Sequence, residues 1–368
     1  MTQPSTTPQP ALKPVQSTRL ILGTIASFLK TIIGAYALSV ILQLVLRFLI
    51  GEQVNWIAFF NTFAHLLWIP ALILLPLCLL LRQWLLSALL LPAVTAFLLA
   101  YGPQFIPRAE EPPPGAETLE LLTYNLFAHQ GDFSVIDAVI RDADADIVAL
   151  QEISLQARNR FPEAFSDLYP YTAFYATGHA TAGMGLMSRY PITEETFWQS
   201  DYVPFPLGFL RATLDIDGTP ITLYNAHPTH PGMAGSFFDP TNRGREIADL
   251  LNRAAQDTGI VLLAGDFNMP DQSEDYAEIT RQYQDAYHEV GWGMGWTFPD
   301  KNGGTPGVYN VTSLADLIPI FPILRLDYVF YRGSIQALQA EVWPTSGTSD
   351  HHPLWVQLEI NPPPDQAQ

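Results

Sequence analysis

Residues Ile260 to Pro270 read "IVLLAGDFNMP", and the rest of the chain can be read outward from them. Five apolar residues, Ile260 to Ala264, are too few for a helix and rich in β-branched and leucine side chains, so they predict a fully buried strand. Gly265 lets the backbone pass close to a neighbour. Asp266 and Asn268 follow at a spacing of two, which on extended backbone aims both the same way. A carboxylate and an amide therefore emerge together where the strand ends. Such a pair meets a ligand, a metal or a cap; the plainer reading makes Asp266 the N-cap of a following helix.

The same ending recurs along the chain. "TLELLTYN" (Thr118 to Asn125) predicts a strand closing on Asn125, and "DIVALQE" (Asp146 to Glu152) a buried strand closing on Glu152. Gly183 to Ile192 predicts another. Leu210 to Ile216 and Thr219 to Ala226 flank Asp217-Gly218, a strong hairpin signal, and the second arm ends at His227. "RLDYVFY" makes a strand carrying Asp327, and "SDHHP" places Asp350 and His351 before the last strand. Helical spacing appears at Phe133 to Asp144 and Thr241 to Ala255, while Trp292 to Val308 reads as aromatic, glycine-rich loop. Interleaved strands and helices with hairpins suggest two packed sheets with helices outside. Ligand sites in layered α/β folds gather where strand ends converge. Each polar residue alone has a plainer reading: Asn125 a turn residue, Glu152 a cap, His227 a satisfied structural histidine, Asp327 an ion pair with Arg325. Their joint occurrence favours a site.

The N-terminal third has a different character. Only six basic and three acidic residues precede Ala116, against 18 and 36 in the whole chain of 368 residues, so the remainder carries a net charge of −21. That field repels polyanions, and no Lys/Arg stripe tracks a phosphate backbone. The lone Cys78 sits in an apolar run and excludes a disulfide framework or a thiolate metal site. Met1 to Gln16 is rich in Pro, Ser, Thr and Gln and is expected to be disordered, within an N-terminal segment of residues 1–30.

Three apolar stretches follow, Thr31 to Ile50, Trp56 to Leu81 and Trp84 to Tyr101. Each suffices to cross about 30 Å of hydrocarbon at about 1.5 Å per residue, which gives a transmembrane anchor over residues 31–101. The polar residues within them (Ser39, Asn61, His65, Ser87) read as packing contacts. Lys13, Arg19 and Lys30 before the first span, and Arg82 between the second and third, put the N-terminus in the cytoplasm and the acidic C-terminal domain outside by the positive-inside rule. "GPQFIPRAEEPPPG" (Gly102 to Gly115) reads as a Pro-rich tether, residues 102–116, long enough to hold a globular domain of residues 117–362 off the bilayer. A short tail, 363–368, closes the chain.

Taken together and in order, "TYNL", "LQE", "LMSRYPI", "NAHP", "GDFN", "LDYVF" and "SDHHPL" resemble the endonuclease/exonuclease/phosphatase superfamily. It includes pancreatic-type deoxyribonuclease, abasic-site endonuclease, neutral sphingomyelinase and the inositol-polyphosphate 5-phosphatases. The resemblance covers about Glu117 to Ile360 and implies an α/β fold, a four-layer αββα sandwich. It also implies Mg²⁺-dependent attack of water on a phosphate ester, with Mn²⁺ as the other candidate ion. By the same resemblance Glu152 is the principal metal ligand, with Asn125 beside it and Asp350 a further metal or supporting acid. Asp266 orients and deprotonates the attacking water and Asn268 holds it in line. His351 hydrogen-bonds the phosphoryl oxygen, Asp327 is its carboxylate partner, and His227 is a phosphate contact. Phe127 stands where the abasic-site branch has a further carboxylate, which argues against a two-metal site.

The acidic charge and the anchor favour a membrane-tethered phosphodiesterase acting on a lipid headgroup or small phosphodiester. An extracytoplasmic nuclease and a catalytically inactive binding module are the alternatives. Long nucleic acid fits poorly, because its affinity depends on Lys and Arg neutralising phosphates.

Overall fold

The computed structural model describes residues 14–129, 132–176, 179–201, 203, 206–232, 237–300 and 321–360. The expected disorder before residue 14, the tail 363–368 and the loop residues 301–308 lie outside them. The described chain divides into two compact units, one comprising residues up to Leu49 with His65–Leu99, the other Ile50–Ala64 with everything from Ala100 onward.

The first unit is helical. It holds α1 (Pro14–Ile50); after α2 (Asn55–Thr62), which belongs to the other unit, it resumes with α3 (Ala64–Leu80) and α4 (Trp84–Tyr101). Helix α1 begins at Pro14, well before Thr31, so part of the expected disordered segment is helical. Among the described residues Leu20–Gln53 and Trp84–Phe105 are long and apolar enough to cross a membrane, and a third span is counted if α2 and α3 are one span broken at Phe63. In this unit Trp68 Nε1 donates to Gln43 Oε1 (3.3 Å) and Tyr36 Oη to the Leu67 carbonyl (2.6 Å), polar pairs that link neighbouring apolar helices.

The second unit is a sandwich of two six-stranded sheets. The strands are β1 (Glu117–Asn125), β2 (Ile147–Gln151), β3 (Tyr171–Tyr175), β4 (Met184–Ser188), β5 (Ile192–Gln199), β6 (Gly208–Ile216), β7 (Thr219–Ala226), β8 (Ile260–Asp266), β9 (Gln284–Asp285), β10 (Asp327–Arg332), β11 (Ile335–Val342) and β12 (Leu354–Ile360). One sheet runs β11-β12-β1-β2-β4-β3 and the other β5-β6-β7-β8-β10-β9. Each has one parallel pair at its centre, β1 with β2 and β7 with β8, and antiparallel neighbours outward. Asp217 and Gly218 both take positive φ (49° and 94°) and turn the β6–β7 hairpin as a primed turn requires.

Three apolar layers fill the sandwich. Leu121, Ile147 and Leu186 of the first sheet meet Leu210, Leu223 and Leu262 of the second in the layer between them. Helices α5 (Ser134–Ala143) and α6 (Leu155–Ala164) cover the outer face of the first sheet through Ile136, Ile140 and Phe161. Helix α7 (Thr241–Ala254) covers the second through Ile247 and Leu250, joined by α8 (Glu274–Ile279) through Ile279. The expected αββα order is present, and α5 and α7 are amphipathic because each has one sheet to cover.

The residues read as a free tether are pinned to this unit. Glu110 N donates to the Leu338 carbonyl on β11 (2.9 Å), Gly293 N to the Gln104 carbonyl (2.8 Å), and Phe105 packs edge-on against Trp292. Proline content reports local stiffness but not these distant partners.

Candidate active site

The parallel centre strands set the site, because β1, β2, β7 and β8 all deliver their C-terminal ends to one edge. Antiparallel β10 starts at that edge, and its first residue, Asp327, stands opposite Asp266, the last of β8. Gly265 is required just before it. Its φ is 143°, and a Cβ there would lie 2.0 Å from the Ala226 carbonyl of β7, so only glycine permits the close strand approach. Immediately past the ends, Glu152 and Asn268 adopt left-handed backbone, φ 53° and 50°. Asparagine tolerates this, but for Glu152 it stores strain on the order of 1 kcal/mol.

These turns bring the eight residues singled out from sequence to one buried place. Asn125 Nδ2 donates to Asp266 Oδ2 (3.0 Å) and Glu152 Oε1 (3.4 Å). His227 Nε2 lies 3.5 Å from Asp266 Oδ2 and 3.7 Å from Glu152 Oε1. His351 Nδ1 meets Asp327 Oδ2 at 2.8 Å, while its Nε2 lies 3.6 Å from Asp266 Oδ2. Asn268 N donates to Asp266 Oδ1 (2.9 Å), and its side-chain amide donates to the Pro228 carbonyl (3.0 Å). Asp350 is buried beside them and lines the same cavity of about 520 Å³ as Glu152, His227, Asp266, Asn268 and His351. The suggested Arg325–Asp327 pair does not form: Arg325 pairs instead with Asp285 at 2.8 Å.

Burial and charge together set the protonation of the cluster. Burial works against a charged His351 ring, but the carboxylates of Asp327 and Asp266 outweigh it and hold the imidazolium up to about 10. Burial likewise opposes the Asp266 carboxylate, and the charged His351 and His227 rings overcome it, holding Asp266 down to about 2. Asp327, Glu152 and Asp350 are all raised by burial, which their histidine neighbours only partly offset. The cluster thus has acids of opposite tendency in contact, the arrangement found where proton and charge chemistry is done.

Three carboxylate and imidazole ligands, from Asp266, Asp327 and His351, lie within 4.8 Å of one another and could hold a metal ion. Independently, Glu152 Oε2 and Asp350 Oδ1 are buried without a hydrogen-bond partner. A buried carboxylate oxygen left unpaired is costly unless a cation satisfies it.

Several supporting residues escape sequence reasoning. Buried Gln151 and Asn225 bond across the two sheets (2.7 Å), and Asn225 Nδ2 also donates to the Leu150 and Gly185 carbonyls (2.9 Å each), locking the strand ends together. Arg243 on α7, fully buried, donates to the Asn268 carbonyl (2.7 Å) and Asp275 (2.7 Å). Ser349 Oγ donates to the Asn125 carbonyl (2.6 Å) and accepts from His351 N (3.0 Å). The polar ends Gln151 and Asn225 are visible in sequence, but their mutual contact is not. Arg189 and Arg211 are structural, pairing with Asp146 and Asp257.

Comparison with known proteins agrees with this geometry. An inositol phosphosphingolipids phospholipase C of Schizosaccharomyces pombe is 29% identical over 233 residues, spanning 52% of this chain and about half (53%) of that protein's length. Among solved structures, an endonuclease/exonuclease/phosphatase from Bacteroides vulgatus superposes with TM-score 0.51 at 19% identity over 66% of this chain and 99% of its own. A mannosyl-6-phosphatase of Bacteroides thetaiotaomicron does so with TM-score 0.51 at 18% identity over 66% and 100%. These two establish shared fold alone. The profile of the Endonuclease/Exonuclease/phosphatase family matches residues 122–351, more than half of the chain, and the chain belongs to that family.

Proposed function

We propose that this protein is a membrane-tethered, divalent-metal-dependent phosphodiesterase that hydrolyses the headgroup phosphodiester of a lipid. The observation that carries the reading is the buried sequence of contacts Asp327–His351–Asp266, with two orphaned carboxylate oxygens, Glu152 Oε2 and Asp350 Oδ1, in the same cavity. Glu152 would hold the ion, with Asp350 and Asn125 alongside. These three offer oxygen ligands, which suit a hard cation such as Mg²⁺, with Mn²⁺ as a substitute. A cation held there would supply positive charge to offset the negative charge that builds on the phosphoryl and leaving oxygens.

The chain's own residues do the remaining work. Asp266, ionised because two cationic rings face it, accepts a hydrogen bond from the attacking water and draws its proton as the P–O bond forms. A carboxylate held near 2 is a weak base, so its main contribution is orientation of the water in line with the leaving oxygen. Asn268, fixed through its backbone by Asp266 and Arg243 and through Nδ2 by the Pro228 carbonyl, lines the same space. His351, kept as imidazolium by Asp327, donates from Nε2 to the phosphoryl oxygen as negative charge builds there. His227 adds a second donor.

Lipid is favoured over nucleic acid for two reasons. The segment after Gly115 carries −21, which opposes a long polyanion. The relative in Schizosaccharomyces pombe is named for phosphosphingolipids. The positive-inside pattern supports an extracytoplasmic catalytic unit.

The test is metal removal and return. Full-length protein in mixed micelles, stripped with chelator, is assayed on phosphosphingolipid and on bis-aryl phosphodiester. The reading expects no turnover until Mg²⁺ or Mn²⁺ is restored; turnover undiminished in chelator, or none on any phosphodiester with metal present, refutes it.

A further inference from the structure

The connection between the first two apolar helices does more than turn the chain. Residues 50–64 belong to the catalytic unit, and their sequence from Val54 to Phe63, "VNWIAFFNTF", contains five aromatic or isoleucine side chains and no charge. We propose that this segment is the apolar wall of the active-site cavity and receives the hydrocarbon portion of the substrate lipid next to its phosphate. The inference rests on the lipid phosphodiesterase reading above and names how that lipid is selected.

Three observations carry it. First, the cavity that holds Asp266 and His351 is also lined by Phe59, Phe63 and Phe238, so phosphate chemistry and aromatic side chains share one space of about 520 Å³. Second, the wall is built in. Glu52 N donates to Glu274 Oε1 (2.9 Å), Glu274 N returns a bond to Glu52 Oε2 (3.3 Å), and Asn61 Nδ2 donates to Glu52 Oε1 (3.1 Å). Asn61 therefore braces Glu52, and it is Glu52 that bonds Glu274 on α8 of the sandwich. Phe59 packs against Phe237 and Phe238 with ring centroids 5.2 and 5.7 Å apart, and Trp56 against Phe237 at 4.9 Å.

Third, the wall is covalently continuous with the anchor. α1 ends at Ile50 and α3 begins at Ala64, so this segment is tied at both ends to apolar helices. Trp56 and Phe237 remain 59% and 68% exposed, an aromatic surface of the kind that suits the membrane–water interface. A nucleotide or sugar phosphate presents polar groups for which Phe59 and Phe63 offer no partner, and the one hydroxyl of the segment that lines the cavity, Thr62 Oγ1, already donates to the Ala58 carbonyl (3.1 Å). An acyl chain or long-chain base needs only apolar contact, and the segment is continuous in sequence with apolar helices on both sides.

The experiment uses full-length protein in mixed micelles with Mg²⁺ and a series of phosphodiesters sharing one headgroup but differing in chain length, from a water-soluble short-chain member to a long-chain lipid. For the wild type, kcat/KM is expected to rise about tenfold or more across the series. Phe59→Ser and Phe63→Ser should flatten that rise, and Phe59→Leu, which keeps an apolar side chain, should retain it. A binding readout independent of turnover uses a lipid analogue with a photoreactive acyl chain, expected to label the peptide containing residues 54–63. An unchanged chain-length dependence in both serine variants, or labelling confined to other peptides, overturns the wall alone. A wild type inactive on every member overturns the function proposed above and the wall with it.

Discussion

His351 Nδ1 lies 2.8 Å from Asp327 Oδ2, both groups are buried, and Asp327 sits opposite Asp266 across the β8–β10 ladder. The pair therefore fixes both the charge and the direction of the imidazole, whose Nε2 points towards the Asp266 carboxylate. Substituting His351→Ala should lower kcat by about 10²- to 10³-fold, the usual cost of a lost oxyanion donor. KM should change little. Steady-state kinetics on a phosphodiester checks the split.

The same pair sets the alkaline side of the pH profile. His351 is raised to about 10 in the metal-free site by the two carboxylates against the opposing effect of burial; a bound cation would draw it down, so activity that needs the imidazolium is lost on the alkaline side at or below that value. The sign is the same for stability. The stabilising interaction is complete below about 6.5, where the unfolded ring is also charged, and disappears through about 10. Asp327→Asn removes one carboxylate and should draw the alkaline limb of kcat/KM down towards neutrality. A limb left in place in that variant would show that another group titrates there.

Glu152 is raised by burial first, and its Oε2 is unpartnered. Glu152→Gln should weaken the apparent Mg²⁺ affinity by at least about 10-fold, a figure taken from losses in groups that merely support a metal ligand. It should also leave the metal-free protein about as stable as the wild type, because the amide oxygen still accepts from Asn125 and a charge whose burial the histidines only partly offset is removed. Thermal melts with and without Mg²⁺ read both effects: the melting temperature gain on adding metal shrinks, and the metal-free value does not fall.

Arg243 holds Asn268 in place from behind by donating to its carbonyl, with Asp275 as ionic partner. Arg243→Gln leaves a buried acceptor and a carboxylate short of their partner and should cost about 3 kcal/mol of stability. Chemical denaturation measures this, and kcat should fall with it because Asn268 loses its support. An unchanged denaturation midpoint would contradict the assigned role.

Salt separates the lipid reading from the nuclease reading. Raising salt from about 50 to 200 mM weakens proteins that make many phosphate contacts on nucleic acid by about 10³-fold or more. A single phosphodiester held by buried groups escapes that loss, so the rate on a zwitterionic or short-chain substrate should change by no more than about twofold.

Much of this architecture is written locally. The run Ile260–Ala264 declares a buried strand, Asp217-Gly218 a hairpin, and the polar residues Asn125, Glu152, His227 and Asp266 mark the strand ends, which parallel pairing brings together within each sheet and side-chain contacts join between the sheets. What stayed hidden depends on distant partners. The Gln151–Asn225 bond joins two sheets, and Arg243 looks like any charge on an amphipathic helix until α7 is seated. The segment "WIAFFNTF" has the composition of a membrane span, and composition does not reveal that Phe59 and Phe63 line the cavity or that the adjacent Glu52 bonds Glu274. The Pro-rich strap hides its partner Leu338 for the same reason.

The measurement that bears most directly on the account uses full-length protein with Mg²⁺ and a panel of phosphosphingolipid, phosphatidylinositol phosphates, bis-aryl phosphodiester, and single- and double-stranded DNA, run beside Asp266→Ala and His351→Ala. The account predicts turnover of lipid phosphodiester at salt-insensitive rates, with both variants reduced by about 10²-fold or more. Preferential DNA cleavage, or lipid turnover that survives both substitutions, would contradict it.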